Sequence, residues 1–312
     1  LTHLLAQADA GRLPLADKSV DLVIGSPPYA DARLYLENGK DLGIARRCSE
    51  WVEWMLLITT EALRVSRGLV LWVVAGKTED WCYQPAPEGL TWEWWKRGGE
   101  CHLFRPCYWH RHGISGSGGK QWFRADVEYV LAFKRPGELP YANPTADGKP
   151  PKWKPGGKMS HRQTNGERVN MTRQEKIQSG AGRFIGPGGE RGKSGENQAY
   201  IPPDLANPGN LIKTITGGGH LGHEIAHENE APYPEAVPKF FINSHCPPGG
   251  IVLDPFSGSG TTVSAAEQLG RIGIGFDLRL SQCRLGKQRT ERPHAPVIKA
   301  SRVDDRPMPL FA

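Results

Sequence analysis

Two short stretches of the chain carry residue types that could do chemistry. The first is Ser26-Pro27-Pro28-Tyr29: a hydroxyl, two rings that remove N–H donors from the backbone, and a phenol. The second lies far downstream, Asp254-Pro255-Phe256-Ser257-Gly258-Ser259-Gly260-Thr261-Thr262. Two prolines in a row make a rigid turn that fixes where its carbonyls point, which suits a site that must present acceptors to an amino group. The paired glycines permit a tight turn. A helix beginning just after them would aim backbone N–H groups and its dipole at a ligand.

Both stretches follow apolar runs that must position them. Ser19-Val20-Asp21-Leu22-Val23-Ile24, just before Ser26, reads as a buried strand. Ile251-Val252-Leu253 is a shorter run of β-formers, ended by Asp254-Pro255. Thr261 then opens a helical pattern (Val263, Ala265, Ala266, Leu269) that Gly270 closes. Strand, glycine loop and helix together place a nucleotide-like ligand in the crevice at the ends of parallel strands. A phosphate-binding Walker loop would need a Lys after Gly260, and none follows. A dinucleotide fingerprint would need a third glycine where Val263 stands. S-adenosylmethionine, a third ligand for such a crevice, needs neither.

Ser26-Pro27-Pro28-Tyr29 first and the glycine loop much later, each after an apolar strand, resembles the beta class of S-adenosylmethionine-dependent DNA amino-methyltransferases. The likeness covers roughly Asp9 to Phe133 and Glu228 to Gln288. It implies an α/β fold with a Rossmann-like methyltransferase sheet, mainly parallel, whose motif order is circularly permuted and which carries an inserted target-recognition region. It implies Ser26, Pro27, Pro28 and Tyr29 as catalytic. It gives the cofactor Asp9, Ala10, Asp254, Pro255, Phe256, Gly258, Ser259, Gly260, Thr261, Thr262 and Asp277. Asp9 would meet the adenine, with a loop cap as the equally open alternative. Asp277, at the end of the strand Arg271–Phe276, would accept from the ribose hydroxyls, with a helix cap as its alternative. Pro232-Tyr233-Pro234-Glu235 matches a family segment that packs near the methionine end, although the family often has His where Asn229 stands.

The chemistry implied is transfer of a methyl group to an exocyclic amine of a base flipped out of double-stranded DNA. That amine is a poor nucleophile because its lone pair is delocalised into the ring. Hydrogen bonds to Ser26 Oγ and the Pro27 carbonyl would draw it toward a tetrahedral geometry, with Tyr29 stacked on the base. Ser rather than Asp or Asn at the head of the motif is the usual form among N4-cytosine enzymes, so cytosine is expected and N6-adenine is the alternative. A DNA-binding protein with an inactive methyltransferase core is the reading from another class. RNA or protein amino-methylation is a weaker third.

Composition agrees with a nucleic-acid partner. The formal net charge is +6 and the pI is near 9.0. The 312 residues allow one large or two smaller domains, and 38 Gly with 26 Pro point to long irregular segments. No apolar run approaches a membrane span, no signal-peptide pattern opens the chain, and six Cys without a CxxC pattern fit reduced thiols, so a cytoplasmic setting is expected. Leu1, not Met, is the first residue. A homodimer and a cognate restriction endonuclease are partners that the resemblance allows for.

From about Lys134 to Gly222 the character changes to Gly, Pro and basic residues. Lys149, Lys152, Lys154, Lys158, Arg162, Arg168, Arg173, Lys176, Arg183, Arg191 and Lys193 outweigh the acids Glu167, Glu175, Glu190 and Glu196. Such a stretch would neutralise phosphates and offer some side chains to base edges, or be a solvated loop. The expected layout is a catalytic half over 1–136, a recognition insert over 137–222, a cofactor half over 223–290 and a tail over 291–312. Ser49 is expected to cap a helix whose face is Trp51, Val52, Met55, Leu56, Ile58, Thr59 and Leu63, and which Gly68 ends. Strands are expected over Leu69–Val74 and Val127–Phe133. The Trp-rich run Trp81–Trp95 suits core or lid packing better than base stacking.

No metal is expected. Cys101–His112 holds two Cys and three His, but at no finger spacing, and it alternates like a strand. His220, His223 and His227 lie in a glycine-rich turn context. Pro106-Cys107 matches the nucleophile dipeptide of cytosine-C5 methyltransferases, but it precedes the glycine loop, the reverse of that family's order.

Overall fold

The computed structural model describes residues 3–30, 36–37, 40–41, 47–98, 102–112, 121, 123–151, 159–162, 165–171, 175, 204–215, 221, 223–229 and 231–291. Most of the loop after Tyr29, much of the basic stretch, His220, the side chain of His227 and the tail lie outside them. Chain contacts divide the molecule into two compact units, 1–147 with 209–312, and 148–208.

The first unit is built on a sheet of nine strands among the described residues. In chain order these are β1 (His3–Gln7), β2 (Val20–Gly25), β3 (Ser66–Val74), β4 (His102–Leu103), β5 (Cys107–His112), β6 (Val127–Lys134), β7 (Leu211–Ile215), β8 (Ile251–Asp254) and β9 (Ile272–Asp277). They lie in the order β1-β9-β8-β2-β3-β6-β5-β7, with β4 beside β6. The run from β1 to β3 is parallel throughout, and β6 runs against both β3 and β5. The helices are α1 (Cys48–Val65), α2 (Ala86–Arg97), α3 (Ala236–His245), α4 (Thr261–Gln268) and α5 (Leu280–Glu291). This is the mainly parallel α/β methyltransferase sheet expected from the sequence.

Both faces of the sheet are covered, so its central strands are apolar on both sides rather than alternating. Val23, Val70, Trp72 and Val74 pack into one layer with Trp51, Met55 and Ile58 of α1. Leu22, Ile24, Leu71 and Val73 pack into the other with Phe241 of α3 and Ala265 and Ala266 of α4. Asp21 is the polar exception on β2. Its carboxylate accepts from Arg67 Nε at 2.6 Å and from the Ile251 N–H at 2.8 Å. These bonds hold its pKa below the usual carboxylate value although burial pulls the other way. The second of them ties the start of β8 to β2, so the two motif strands, distant in sequence, are neighbours in the sheet.

Two helix boundaries differ from expectation. Arg47 is the cap of α1, its N–H bonded to Glu50 Oε2, and Ser49 lies inside the helix. The helix ends at Val65, and Gly68 lies within β3, where a Cβ would stand 2.0 Å from the Asp21 carbonyl oxygen. Gly68 is therefore a close-approach residue rather than a helix stop. Leu211–Ile215, within the basic stretch by composition, is an edge strand of the main sheet, parallel to β5. The 148–208 unit contains a hairpin, Met159–Arg162 against Arg168–Met171, and a bridge between Lys149 and Ala206.

Candidate active site

β2 and β8 are parallel neighbours, so Ser26–Tyr29 and Pro255–Gly258 leave the same edge of the sheet. The chain from β2 passes through α1 to β3 on one side, and the chain from β8 passes through α4 to β9 on the other. The gap between them is a topological switch point, where open α/β sheets bind ligands. Gly25 makes the approach close: a Cβ there would lie 2.6 Å from Asp254 Oδ1.

A cavity of about 790 Å³ opens at this edge. The expected catalytic residues Ser26, Pro27, Pro28 and Tyr29 line it, together with Asp9 and Ala10. From the other half come Pro255, Phe256, Gly258, Thr261 and Asp277. Asp254, Ser259, Gly260 and Thr262 are not among its lining residues. They sit behind it and hold the loop's shape.

That support is a buried polar network. Thr262 Oγ1 donates to Asp254 Oδ2 at 2.6 Å, the Phe256 N–H donates to Oδ1 at 3.0 Å, and Tyr233 OH bonds both Thr262 and Asp254. Burial pushes the Asp254 carboxyl up to about 7, against its donors and with help from the charge of Asp277. Gly260 caps α4 at φ +77°, a left-handed conformation that other residues resist. A second cluster lies below. Arg289, fully buried, bonds Thr261 Oγ1 at 2.9 Å and Glu235 Oε1 at 2.8 Å. Glu235 also accepts from Ser264, Lys239 and Gln268. Burial would raise its carboxyl, but Arg289 and Lys239 prevail and hold it down at about 2.

The two acids with alternative readings each accept hydrogen bonds from nearby backbone and face the cavity. Asp9 caps its own turn, accepting from the Gly11 N–H at 2.8 Å, and faces the cavity. Asp277 accepts from the Arg279 N–H at 2.8 Å and from the Gly258 N–H at 3.0 Å, and also lines the cavity. Its pKa is raised, chiefly by burial. The Ser257 and Ser259 hydroxyls are buried without a hydrogen-bond partner among the described residues, and Ser257 lines the cavity. A cavity-facing Ser257 hydroxyl, the Gly258 turn and the N-terminus of α4 offer the donors, and Asp277 the acceptor, that an adenosyl cofactor with polar ends would use, so the residues present fit it.

The Ser26–Tyr29 stretch is held by bonds to three other elements. Trp51 Nε1 of α1 donates to the Pro28 carbonyl at 2.6 Å. Ser26 Oγ donates to the Val73 carbonyl of β3 at 3.1 Å. Tyr29 OH donates to Glu128 Oε2 of β6 at 2.5 Å, and Arg111 Nη1 of β5 lies 2.9 Å from Glu128 Oε1. Tyr29 is half-buried, and desolvation of its phenol with the neighbouring carboxylate keeps it well above the ordinary tyrosine value. Sequence reasoning missed Glu128, Arg111 and Arg289. For Glu128 a signal existed, since an acid breaks the otherwise apolar run Val127–Phe133.

His223 caps a short 3₁₀ turn, its Nδ1 accepting from the Ile225 N–H. Among the described residues no three His, Cys, Asp or Glu are grouped to hold a metal ion. Among the same residues no helix is long and apolar enough to cross a membrane.

Fold and cavity together define an α/β protein of the doubly wound methyltransferase type, with a glycine-loop cofactor crevice beside a Pro-Pro turn. The chain belongs to the DNA methylase family, whose model of N6- and N4-methylases matches residues 20–288. It is a DNA amino-methyltransferase, and its cofactor is S-adenosylmethionine. It is 27% identical over 281 residues to the orphan methyltransferase M.BamHII of Bacillus amyloliquefaciens, covering 88% of this chain and 90% of that one. It is 40% identical over 107 residues to the putative methylase YubD of Escherichia coli K12, covering 34% and 46% of the two chains. Among solved structures, PvuII DNA methyltransferase (cytosine-N4-specific) superposes with a TM-score of 0.61 at 17% identity, over 95% of this chain and 90% of that one. A putative DNA modification methylase of Thermus thermophilus, complexed with S-adenosyl-L-methionine, gives 0.54 at 20% identity, over 92% and 93%.

Proposed function

We propose that this methyltransferase acts on the exocyclic N4 of cytosine. The observation that carries the reading is Ser26. Its hydroxyl donates to the Val73 carbonyl at the cavity wall, and serine rather than Asp or Asn at the head of this motif is the usual form among the N4-cytosine enzymes that the chain resembles. The structural likeness to a methyltransferase described as cytosine-N4-specific supports it.

In this reading the base enters beside Tyr29, and its amine donates to Ser26 Oγ and to the Pro27 carbonyl. Those two acceptors pull the nitrogen lone pair out of conjugation and aim it into the cavity. S-adenosylmethionine supplies an electrophilic methyl on a sulfonium. Asp277 and the Gly258 loop orient its ribose, Asp9 and Ala10 meet the adenine, and Pro255, Phe256 and Thr261 complete the bed. Asp254, Ser259, Gly260 and Thr262 shape that loop from behind. The work is positioning and electrostatics, with no covalent enzyme intermediate. N6 of adenine offers the same two hydrogens to the same acceptors and is the second reading.

The test is nucleoside mass spectrometry after unmethylated plasmid DNA has been incubated with the protein and S-adenosylmethionine. N4-methylcytosine is expected, and it should vanish with Ser26→Ala. N6-methyladenine as the product would overturn the base assignment and leave the chemistry standing.

A further inference from the structure

Glu128 breaks an apolar strand and is 4% exposed. A carboxylate so deeply placed is costly unless its oxygens are engaged, and both are. Oε2 receives the Tyr29 phenol at 2.5 Å, and Oε1 faces Arg111 Nη1 at 2.9 Å. Arg111 is itself held, its Nη2 donating to the Ala125 carbonyl at 2.6 Å. Tyr29, Glu128 and Arg111 all line the cavity. Stacking on a base needs only an aromatic ring, which a phenylalanine would provide. The hydroxyl, the buried acid and the arginine therefore call for another explanation.

We propose that Glu128, clamped by Arg111, is a positioning residue for methyl transfer, fixing the ring of Tyr29 through its phenol. The inference rests on the reading of Ser26–Tyr29 as the catalytic segment. Trp51 fixes the backbone one residue earlier through the Pro28 carbonyl, and Glu128 fixes the far end of the side chain. Held at both ends, the ring is a wall of set orientation. A base resting on it presents its amine along one line, the condition for in-line attack. Arg111 neutralises the carboxylate, so the clamp adds no net charge beside the transferring methyl.

The experiment is methyl transfer from tritiated S-adenosylmethionine to unmethylated plasmid DNA by the full chain, with cofactor affinity measured by calorimetry. Tyr29→Phe removes one oxygen and keeps the ring. It should lower kcat about 100-fold, the scale of a small misplacement of reacting groups, with KM for DNA and cofactor affinity little changed. Glu128→Leu should match it, and Glu128→Gln, which keeps an acceptor oxygen, should recover most of the rate. The double variant Tyr29→Phe/Glu128→Leu should be no slower than the slower single, because both remove one interaction. A wild-type kcat for Tyr29→Phe overturns the proposal, whether or not the Glu128 variants fold. So do losses that multiply in the double variant. Ser26→Ala separates the two readings. If it alone abolishes transfer while Tyr29→Phe is fully active, only the clamp fails; if it too is fully active, the catalytic assignment fails with it.

Discussion

The two halves of the cavity are held in opposite ways. The glycine-loop half is braced from behind by groups that do not line the cavity: Thr262 on Asp254, and Arg289 with Glu235, which together hold the lining residue Thr261. The Ser26–Tyr29 half, catalytic in the proposed reading, hangs from individual bonds to separate elements: Trp51 of α1, Val73 of β3 and Glu128 of β6. A buried charged cluster that loses a member leaves an uncompensated charge, and the whole fold feels it. A loop held by individual hydrogen bonds loses about 1 kcal/mol of stability per bond but a larger factor in alignment. The cofactor half should therefore fail through stability and the catalytic half through rate.

The sharpest way to break that contrast is Arg289→Met. The side chain is fully buried and holds Glu235 and Thr261 together. Removing the guanidinium leaves Glu235 with the shallower Lys239 as its one charge partner among the described residues. A loss of about 4–5 kcal/mol is expected, read as a lowered midpoint in urea unfolding. Cofactor affinity of the fraction that remains folded should be nearly unchanged, because Arg289 does not line the cavity. An unaltered midpoint would show the cluster to be dispensable.

The same contrast marks what the sequence could reveal. Ser26–Tyr29 and Pro255–Gly258 were legible because their chemistry is local: prolines and glycines fix a turn whatever lies around it. The flanking strands were legible because burial on both faces leaves unbroken apolar runs, as in Val20–Ile24 and Leu69–Val74. Asp254 belongs to the same motif, yet it turns away from the cavity onto Thr262. Which way a side chain faces after a strand depends on the neighbour it meets, and Tyr233 and Thr262 meet it through folding. Arg289 and Arg111 were invisible for the same reason, since their partners Glu235 and Glu128 lie at other points of the sheet and helices. The start of α1 was misplaced because the Glu50 side chain reaches back to the Arg47 N–H and caps the helix two residues before Ser49.

Asp254 offers a second, smaller effect with a sign. Its carboxyl stands at about 7 in the folded protein, above its ordinary value of 3.8. The folded state thus holds a proton that the unfolded state has released across that window, so stability falls as pH rises from about 4 to about 7 and levels off above it. The span is on the order of 4 kcal/mol. Asp254→Asn, which cannot titrate, should remove this slope. Melting temperatures of the two proteins between pH 4 and 8 would show it as a difference that grows toward neutrality. Parallel curves would mean that the donors around Asp254 hold it ionised throughout.

The smallest effect tests the other half. Trp51→Phe keeps an aromatic ring in the core and removes the donor to the Pro28 carbonyl, along with some volume from a residue 1% exposed. About 2 kcal/mol of stability should go, less than for either cofactor-side variant. The rate should suffer out of proportion, with kcat falling several-fold at temperatures where the protein is fully folded. Cofactor affinity by calorimetry should stay at the wild-type value, because the lost hydrogen bond is to the Pro-Pro turn. A matching loss of cofactor affinity would mean that strain passes from the Pro-Pro turn through Gly25 into Asp254, whose carboxylate a Cβ on that glycine would overlap. The two halves would then be one mechanical unit, and the division between stability and rate would belong to the individual bonds rather than to the halves.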